Sequence, residues 1–246
     1  MTETQAREEI CRVGKSLFDR GYVHASAGNI SVRLNEADGG GFLITPTDAC
    51  LGFLDPARLA RLDTSAQQRS GDKASKTIVL HAQIYAAAMR FDPGTRCIIH
   101  THSTYSVALS LLHADQRSDM QAHIQAHIQA HMPELLAPLT PYFVMKVGHV
   151  PLIPYHRPGD PAVAAMVARA IADYGTRGAP IRAVMLARLG PNVWHDSPMQ
   201  AMATLEELEE TARLAILQQA GSGQPTCTAL SGTQIEELRQ TFGARW

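Results

Sequence analysis

The stretch Arg96-Cys97-Ile98-Ile99-His100-Thr101-His102-Ser103, with Tyr105 to Leu112 behind it, sets the frame for the rest of the chain. Its apolar, β-branched run predicts a buried strand, and Tyr105 to Leu112 predicts a helix. A strand therefore hands over to a helix here, and such handovers often open into a crevice where ligands bind. His100 and His102 stand at i and i+2, on one side of an extended strand end. Neutral imidazole is a usual ligand for zinc and its neighbours, and two imidazoles on one strand supply half of a tetrahedral shell. The plainer alternative is one core histidine and one surface histidine. Two ligands alone do not decide between these readings.

Upstream, Ala6 to Arg20 carries Ile10, Val13, Leu17 and Phe18 at helical spacing and stops at Gly21, which predicts an amphipathic helix. Ser26-Ala27-Gly28-Asn29 reads as a turn that leads into an alternating strand through Leu34. Gly39-Gly40-Gly41 then turns the chain into Phe42-Leu43-Ile44-Thr45, completing a hairpin. The polar stretch Asp63 to Lys73 predicts a loop, and Ile78 to Met89 a helix with Leu80, Ile84 and Ala88 on one face. Downstream, Tyr142 to Gly148 and Val150 to Ile153 predict short strands. Pro161 to Asp173 predicts a helix, Ile181 to Ala187 a buried strand, Ser197 to Ala220 a long helix and Thr233 to Thr241 a last one. Elements alternate without a linker, so the expectation is a single α/β domain over residues 1–246 with a C-terminal helical extension from about 221.

Bulk properties narrow the partner. The chain of 246 residues is 45% hydrophobic, and its 22 Lys and Arg against 23 Asp and Glu leave a net charge of -1. Such a balance points to neither nucleic acid nor an anionic membrane, and favours a small molecule. Cys11, Cys50, Cys97 and Cys227 are widely spaced without a Cys-x-x-Cys pair, so neither a zinc ribbon nor a disulfide framework is expected. The polar start from Met1 to Ile10 lacks the apolar core of a signal peptide, and no apolar run of about 18 residues follows. A reduced, cytoplasmic setting fits.

Further groups bear on chemistry. Ser26-Ala27-Gly28-Asn29 resembles an anion-binding turn, and Thr45-Pro46-Thr47 and Ser75-Lys76-Thr77 add hydroxyls and a lysine ahead of a helix. Each also reads as an ordinary turn, but together they suit a phosphate monoester. The tandem Ala122-His123-Ile124-Gln125, Ala126-His127-Ile128-Gln129, Ala130-His131 would, if helical, stack His123, His127 and His131 on one face. A short duplicated insert explains it more simply.

The ordered set Ser-Ala-Gly-Asn, Ile-Thr-Pro-Thr, Ser75 ahead of Leu80-His81, and Ile-Ile-His-Thr-His-Ser resembles the class II aldolase and adducin head-domain family over roughly residues 6–220. Within it, Gly52-Phe53-Leu54-Asp55-Pro56, Ser70-Gly71-Asp72-Lys73, Thr140 to Gly148, Tyr155-His156-Arg157-Pro158-Gly159-Asp160 and Leu205 to Thr211 are most similar to a branch that decarboxylates sugar-acid phosphates. The resemblance implies a three-layer αβα domain with a central, mainly antiparallel sheet. It implies a divalent metal, zinc foremost, and a homotetramer with sites between subunits, the segment around Tyr142 forming part of the wall. It assigns His100 and His102 to the metal. Asn29, Thr47, Ser75 and Lys76 fall to the substrate phosphate, with Lys76 replacing a serine and Asp48 replacing a glycine.

Two positions depart from that pattern. The family's acid, four residues before His81, is Thr77 here, and its third metal histidine, directly before a glycine, is Leu189. A replacement ligand is sought in His156 first, then His149 or His195. Threonine is a poor base for C–H abstraction. Decarboxylation of a 3-oxo acid draws its electrons from the departing carboxylate and needs only an electrophile at the carbonyl, with Tyr142 or water returning a proton. The resemblance places Thr77 and Lys76 at the reacting end, and decarboxylation is favoured over aldol cleavage. A module that kept the fold and lost catalysis, adducin-like, is the other class.

Overall fold

The computed structural model describes residues 1–115, 132–222 and 228–246; the His123, His127 and His131 repeat lies outside them. The strands are β1 (Asn29–Arg33), β2 (Phe42–Ile44), β3 (Ala60–Leu62), β4 (Gln68–Ser70), β5 (Cys97–His100), β6 (Leu152–Ile153), β7 (Ala183–Leu186) and β8 (Gly190–His195). The helices are α1 (Glu3–Asp19), α2 (Ile78–Ala88), α3 (Thr104–Asp115), α4 (Pro161–Thr176), α5 (Pro198–Ser222) and α6 (Gly232–Phe242). They flank an eight-stranded sheet in the order β4-β3-β2-β1-β5-β8-β7-β6. Among the described strands, only β6 and β7 pair in parallel. This is the expected three-layer αβα architecture.

The sheet's period of two sorts its side chains onto two faces. One face, with Ile30, Val32, Cys97, Ile99, Ala183, Met185 and Val193, packs against Ile10, Val13 and Leu17 of α1 and Leu205, Leu208 and Ala212 of α5. The other, with Ile98, Val184, Leu186 and Trp194, packs against Ile84, Tyr85 and Ala88 of α2 and Val167, Ala170 and Ile171 of α4. Each fully buried aliphatic side chain stabilises by about 1.5–3 kcal/mol, so both layers hold the sheet firmly.

Several expectations change. α1 starts at Glu3 because Thr2 and Gln5 form a capping box, with Gln5 N–H donating to Thr2 Oγ1 at 3.3 Å and Thr2 N–H to Gln5 Oε1 at 2.8 Å. The expected loop from Asp63 to Lys73 contains β4, an edge strand whose residues are all exposed, so it lacks the apolar alternation that marks a strand. Tyr142 to Gly148 is not a strand: Phe143–Val147 is a π-helical turn burying Phe143, Val144 and Val147. Gly148 N–H donates to Phe143 O at 2.9 Å and closes it, and a short apolar run of this kind does not by itself separate a helical turn from a strand. β8 was not expected because Gly190 and Pro191 argue against a strand; they occupy its first two positions, beside the sheet's centre.

The chain's end folds back. Trp246 stacks on His149 at 4.0 Å between ring centroids, and Arg245 pairs with Asp92 at 2.9 Å.

Candidate metal and phosphate site

Two glycines press the His100-Thr101-His102 backbone into place. Gly28 has φ +83°, and a Cβ there would lie 2.8 Å from His100 O. Gly190 has φ +146°, and a Cβ would lie 1.8 Å from Thr101 O. Neither position accepts a side chain without moving the segment that carries the histidines. From the far side, Glu209 of α5, 2% exposed, accepts Tyr105 N–H at 2.7 Å, Ser106 N–H at 3.0 Å and Ser106 Oγ–H at 2.7 Å. A buried carboxylate thus caps the first turn of α3, just past His102, where the helix dipole favours negative charge.

His100 Nδ1 lies 2.9 Å from Pro191 O, which can only accept, so Nδ1 carries the proton and Nε2 keeps its lone pair. Burial, then His102, push the His100 imidazole down to about 4, against the Pro191 carbonyl, so it is neutral near pH 7. Burial also lowers His102, with His24 adding to the effect. The two rings meet edge to face at 5.0 Å. Two neutral imidazoles with a free ring nitrogen fit a divalent ion as half of its shell. Among the described residues no group of three or more His, Cys, Asp or Glu completes one.

On the other side of β5, Asn29 pairs with His100 across the β1–β5 ladder. Asn29 Nδ2 donates to Thr77 Oγ1 at 3.2 Å, and Ser75 Oγ donates to the same oxygen at 3.2 Å. Thr47 N–H donates to Lys73 O at 2.8 Å, and Ser75 N–H to Thr45 O at 3.3 Å, so the Thr45-Pro46-Thr47 turn lies against the strand leading to Ser75. Lys76 is exposed beside them. Asp48 has φ +58°, a conformation suited to the glycine that the resemblance places there. The expected phosphate residues thus gather at the N-terminus of α2, where backbone N–H groups and the dipole favour an anion.

Other expected residues do not join the pair. No hydrogen bond or ring contact links His156 or Tyr142 to His100 or His102. His156 faces Asp160 at 3.7 Å, and Tyr142 is 62% exposed at the head of the π-turn. His149 pairs with Glu134 at 2.6 Å, and His195 Nδ1 accepts Asp196 N–H at 2.8 Å. These alternatives to His156 have partners elsewhere.

Three residues near the pair had no site role assigned from the sequence, His81 serving there only as a motif landmark. His24, exposed on the loop between α1 and β1, presents its ring to His102 at 6.5 Å, and its place five residues before Asn29 was the available signal. His81 is fully buried with Nδ1 2.8 Å from Ser31 Oγ, and its Nε2 has no partner. Burial, then His100, hold it down at about 3. Asn192 of β8 faces His100 from the strand opposite β1.

Residues 8–216 match the Class II Aldolase and Adducin N-terminal domain. The chain belongs to the class II aldolase and adducin family. Family members are in general divalent-metal dependent, and this chain supplies the paired imidazoles. It is 49% identical over 245 residues to 3-oxo-tetronate 4-phosphate decarboxylase of Cupriavidus necator, covering 100% of this chain and 99% of the relative. The protein of that name from Escherichia coli K12 is 38% identical over 237 residues, 96% of each chain. The crystal structure of YgbL from Escherichia coli superposes with a TM-score of 0.76 at 38% identity, covering 96% of this chain and 99% of that one. L-Fuculose-1-phosphate aldolase from Thermus thermophilus shares the fold, with a TM-score of 0.67 at 24% identity over 92% and 98% of the two chains.

Proposed function

We propose that this class II aldolase-family chain is a 3-oxo-tetronate 4-phosphate decarboxylase, releasing carbon dioxide and leaving dihydroxyacetone phosphate. The observation that carries this is Thr77. At the N-terminus of α2, where an aldolase needs a base, stands a hydroxyl already hydrogen-bonded to Asn29 and Ser75. Decarboxylation needs no base, because the C–C electron pair becomes the enediolate. Relatives bearing this name at 36–49% identity support the same reading.

Asn29, Thr47, Ser75 and Lys76 hold the substrate phosphate, the lysine adding a positive charge and the α2 N-terminus its dipole. His100 and His102 hold a divalent ion, zinc foremost, which when bound supplies an electrophile for the 3-oxo group. Thr77 keeps Asn29 and Ser75 in register. Tyr142, exposed in one chain, reaches a site from a neighbouring subunit of a homotetramer and returns a proton to the enediolate. The whole chain works as one domain, α6 and the C-terminal tail forming its extension, in the cytoplasm; among the described residues no helix is long and apolar enough to cross a membrane.

The test is incubation of the metal-loaded protein with a 3-oxo-tetronate 4-phosphate. Stoichiometric carbon dioxide and dihydroxyacetone phosphate are expected. Turnover of a ketose 1-phosphate to an aldehyde instead would make it an aldolase, and no turnover of either under added metal would leave a binding module.

A further inference from the structure

Asn192 is fully buried, yet neither its Oδ1 nor its Nδ2 has a hydrogen-bond partner among the described residues. An unpaired buried polar group is costly to a fold, and a fold keeps one where it has a use. Asn192 lies directly opposite His100 in the β5–β8 ladder, while Asn29 lies opposite His100 in the β1–β5 ladder. Directly opposed residues project to the same face, so the three side chains form one row with the imidazole in the middle. Asn29 Oδ1 is unpaired as well. The carbonyl before Asn192, Pro191 O, is the one that fixes His100 Nδ1, so this stretch of β8 is registered to the imidazole itself. The same stretch begins one residue after Leu189, where the family pattern has its third histidine.

We propose that Asn192, through Oδ1, is the third protein ligand of the ion held by His100 and His102. The proposal rests on the metal-dependent reading above and names the group that replaces the lost imidazole. An amide oxygen is a hard, neutral donor, acceptable to manganese as well as zinc. With Thr77 in place of a carboxylate, all three ligands are then neutral, and the ion keeps its full double charge toward the substrate carbonyl. A centre of that kind suits polarising a 3-oxo group whose electrons come from the departing carboxylate.

The experiment uses the full-length protein stripped with a chelator and titrated with Mn²⁺, followed by calorimetry and by the paramagnetic resonance of free Mn²⁺. Asn192→Leu, close in shape, is expected to weaken binding by at least about 10–100-fold, the loss seen when even outer-sphere partners are removed. Its metal-free melting temperature should stay level or rise, since an unpaired amide is replaced by an apolar group. Asn192→Asp keeps an oxygen donor, so it should bind Mn²⁺ at least as tightly while lowering kcat, because its charge offsets that of the ion. Mn²⁺ affinity within twofold of wild type in Asn192→Leu overturns the proposal alone, as does a tenfold loss in His24→Ala with none in Asn192→Leu. A wild-type protein that binds no divalent ion overturns it together with the metal reading. Should Asn192→Leu not fold, Asn192→Asp decides, and wild-type affinity with wild-type kcat overturns the proposal.

Discussion

Ile99 and His100 are neighbours in β5, and both are almost fully buried, yet they belong to different kinds of interior. Ile99 faces the layer of α1 and α5, within a cluster of apolar side chains. His100 faces the layer of α2, where Asn29, Ser31, His81 and Asn192 interrupt the apolar packing and several polar atoms are unpaired. One face of the sheet is optimised for packing. The other gives up part of that to carry polar groups at the end of β5, as expected where local rules yield to function.

The comparison breaks if swapping chemistry on the two faces has the same consequence. His100→Ala should lower carbon dioxide release by about 10³-fold or more, since an electrophile at the carbonyl contributes several kcal/mol to the transition state. Its melting temperature should fall by only a few degrees, and activity assays beside calorimetry read both. Ile99→Ala should do the reverse: a loss of about 2–5 kcal/mol in urea unfolding with kcat/KM of the folded fraction unchanged within a few-fold. Equal losses of activity in the two variants would dissolve the distinction between the faces.

Glu209 tests how the packed layer serves the polar one. It reaches from α5 to cap α3 behind His102, so Glu209→Ala leaves two backbone N–H groups and the Ser106 hydroxyl unpaired. A loss of about 2–3 kcal/mol is expected, with a further fall in kcat because His102 loses its anchor. Glu209→Gln, which keeps an acceptor, should recover part of both. A change under 0.5 kcal/mol in Glu209→Ala, on the scale of an ordinary surface site, would show that the glycine contacts alone position the histidines.

How much of this was legible in the sequence follows the same division. Apolar periodicity exposed α1, α2, β5, β7 and α5, because the packed layer imposes spacing on the chain. β8 and β4 were hidden, one by Gly190 and Pro191 and the other by its exposure on the sheet's edge. At the site, Asn29, Ser75, His100 and His102 stood out because motif order links them. Asn192 did not, and His81 stood out only as a motif landmark: their placement beside His100 depends on cross-strand register and on α2 lying over β1, which no local pattern encodes. Tyr142 and His156 were sought at the site; in the single chain Tyr142 is exposed and His156 faces Asp160.

The polar face should also be the one that feels acid. His81 is held at about 3 by burial and by His100, whereas the unfolded chain's histidine titrates near its ordinary value of about 6.5. A folded-state value below the unfolded one means that the unfolded chain takes up the proton first. The stability contributed by the neutral ring is therefore complete above about 6.5 and is lost as pH falls toward 3. Wild-type protein kept metal-free should thus lose on the order of 2 kcal/mol more than His81→Gln between pH 6.5 and 4.5, since each proton difference is worth about 1.4 kcal/mol per pH unit. Urea unfolding at the two pH values reads the difference directly. Parallel stability curves for the two proteins would mean that the His81 ring takes its proton within the fold, and that the interior beside His100 is already wet rather than a dry pocket with polar walls.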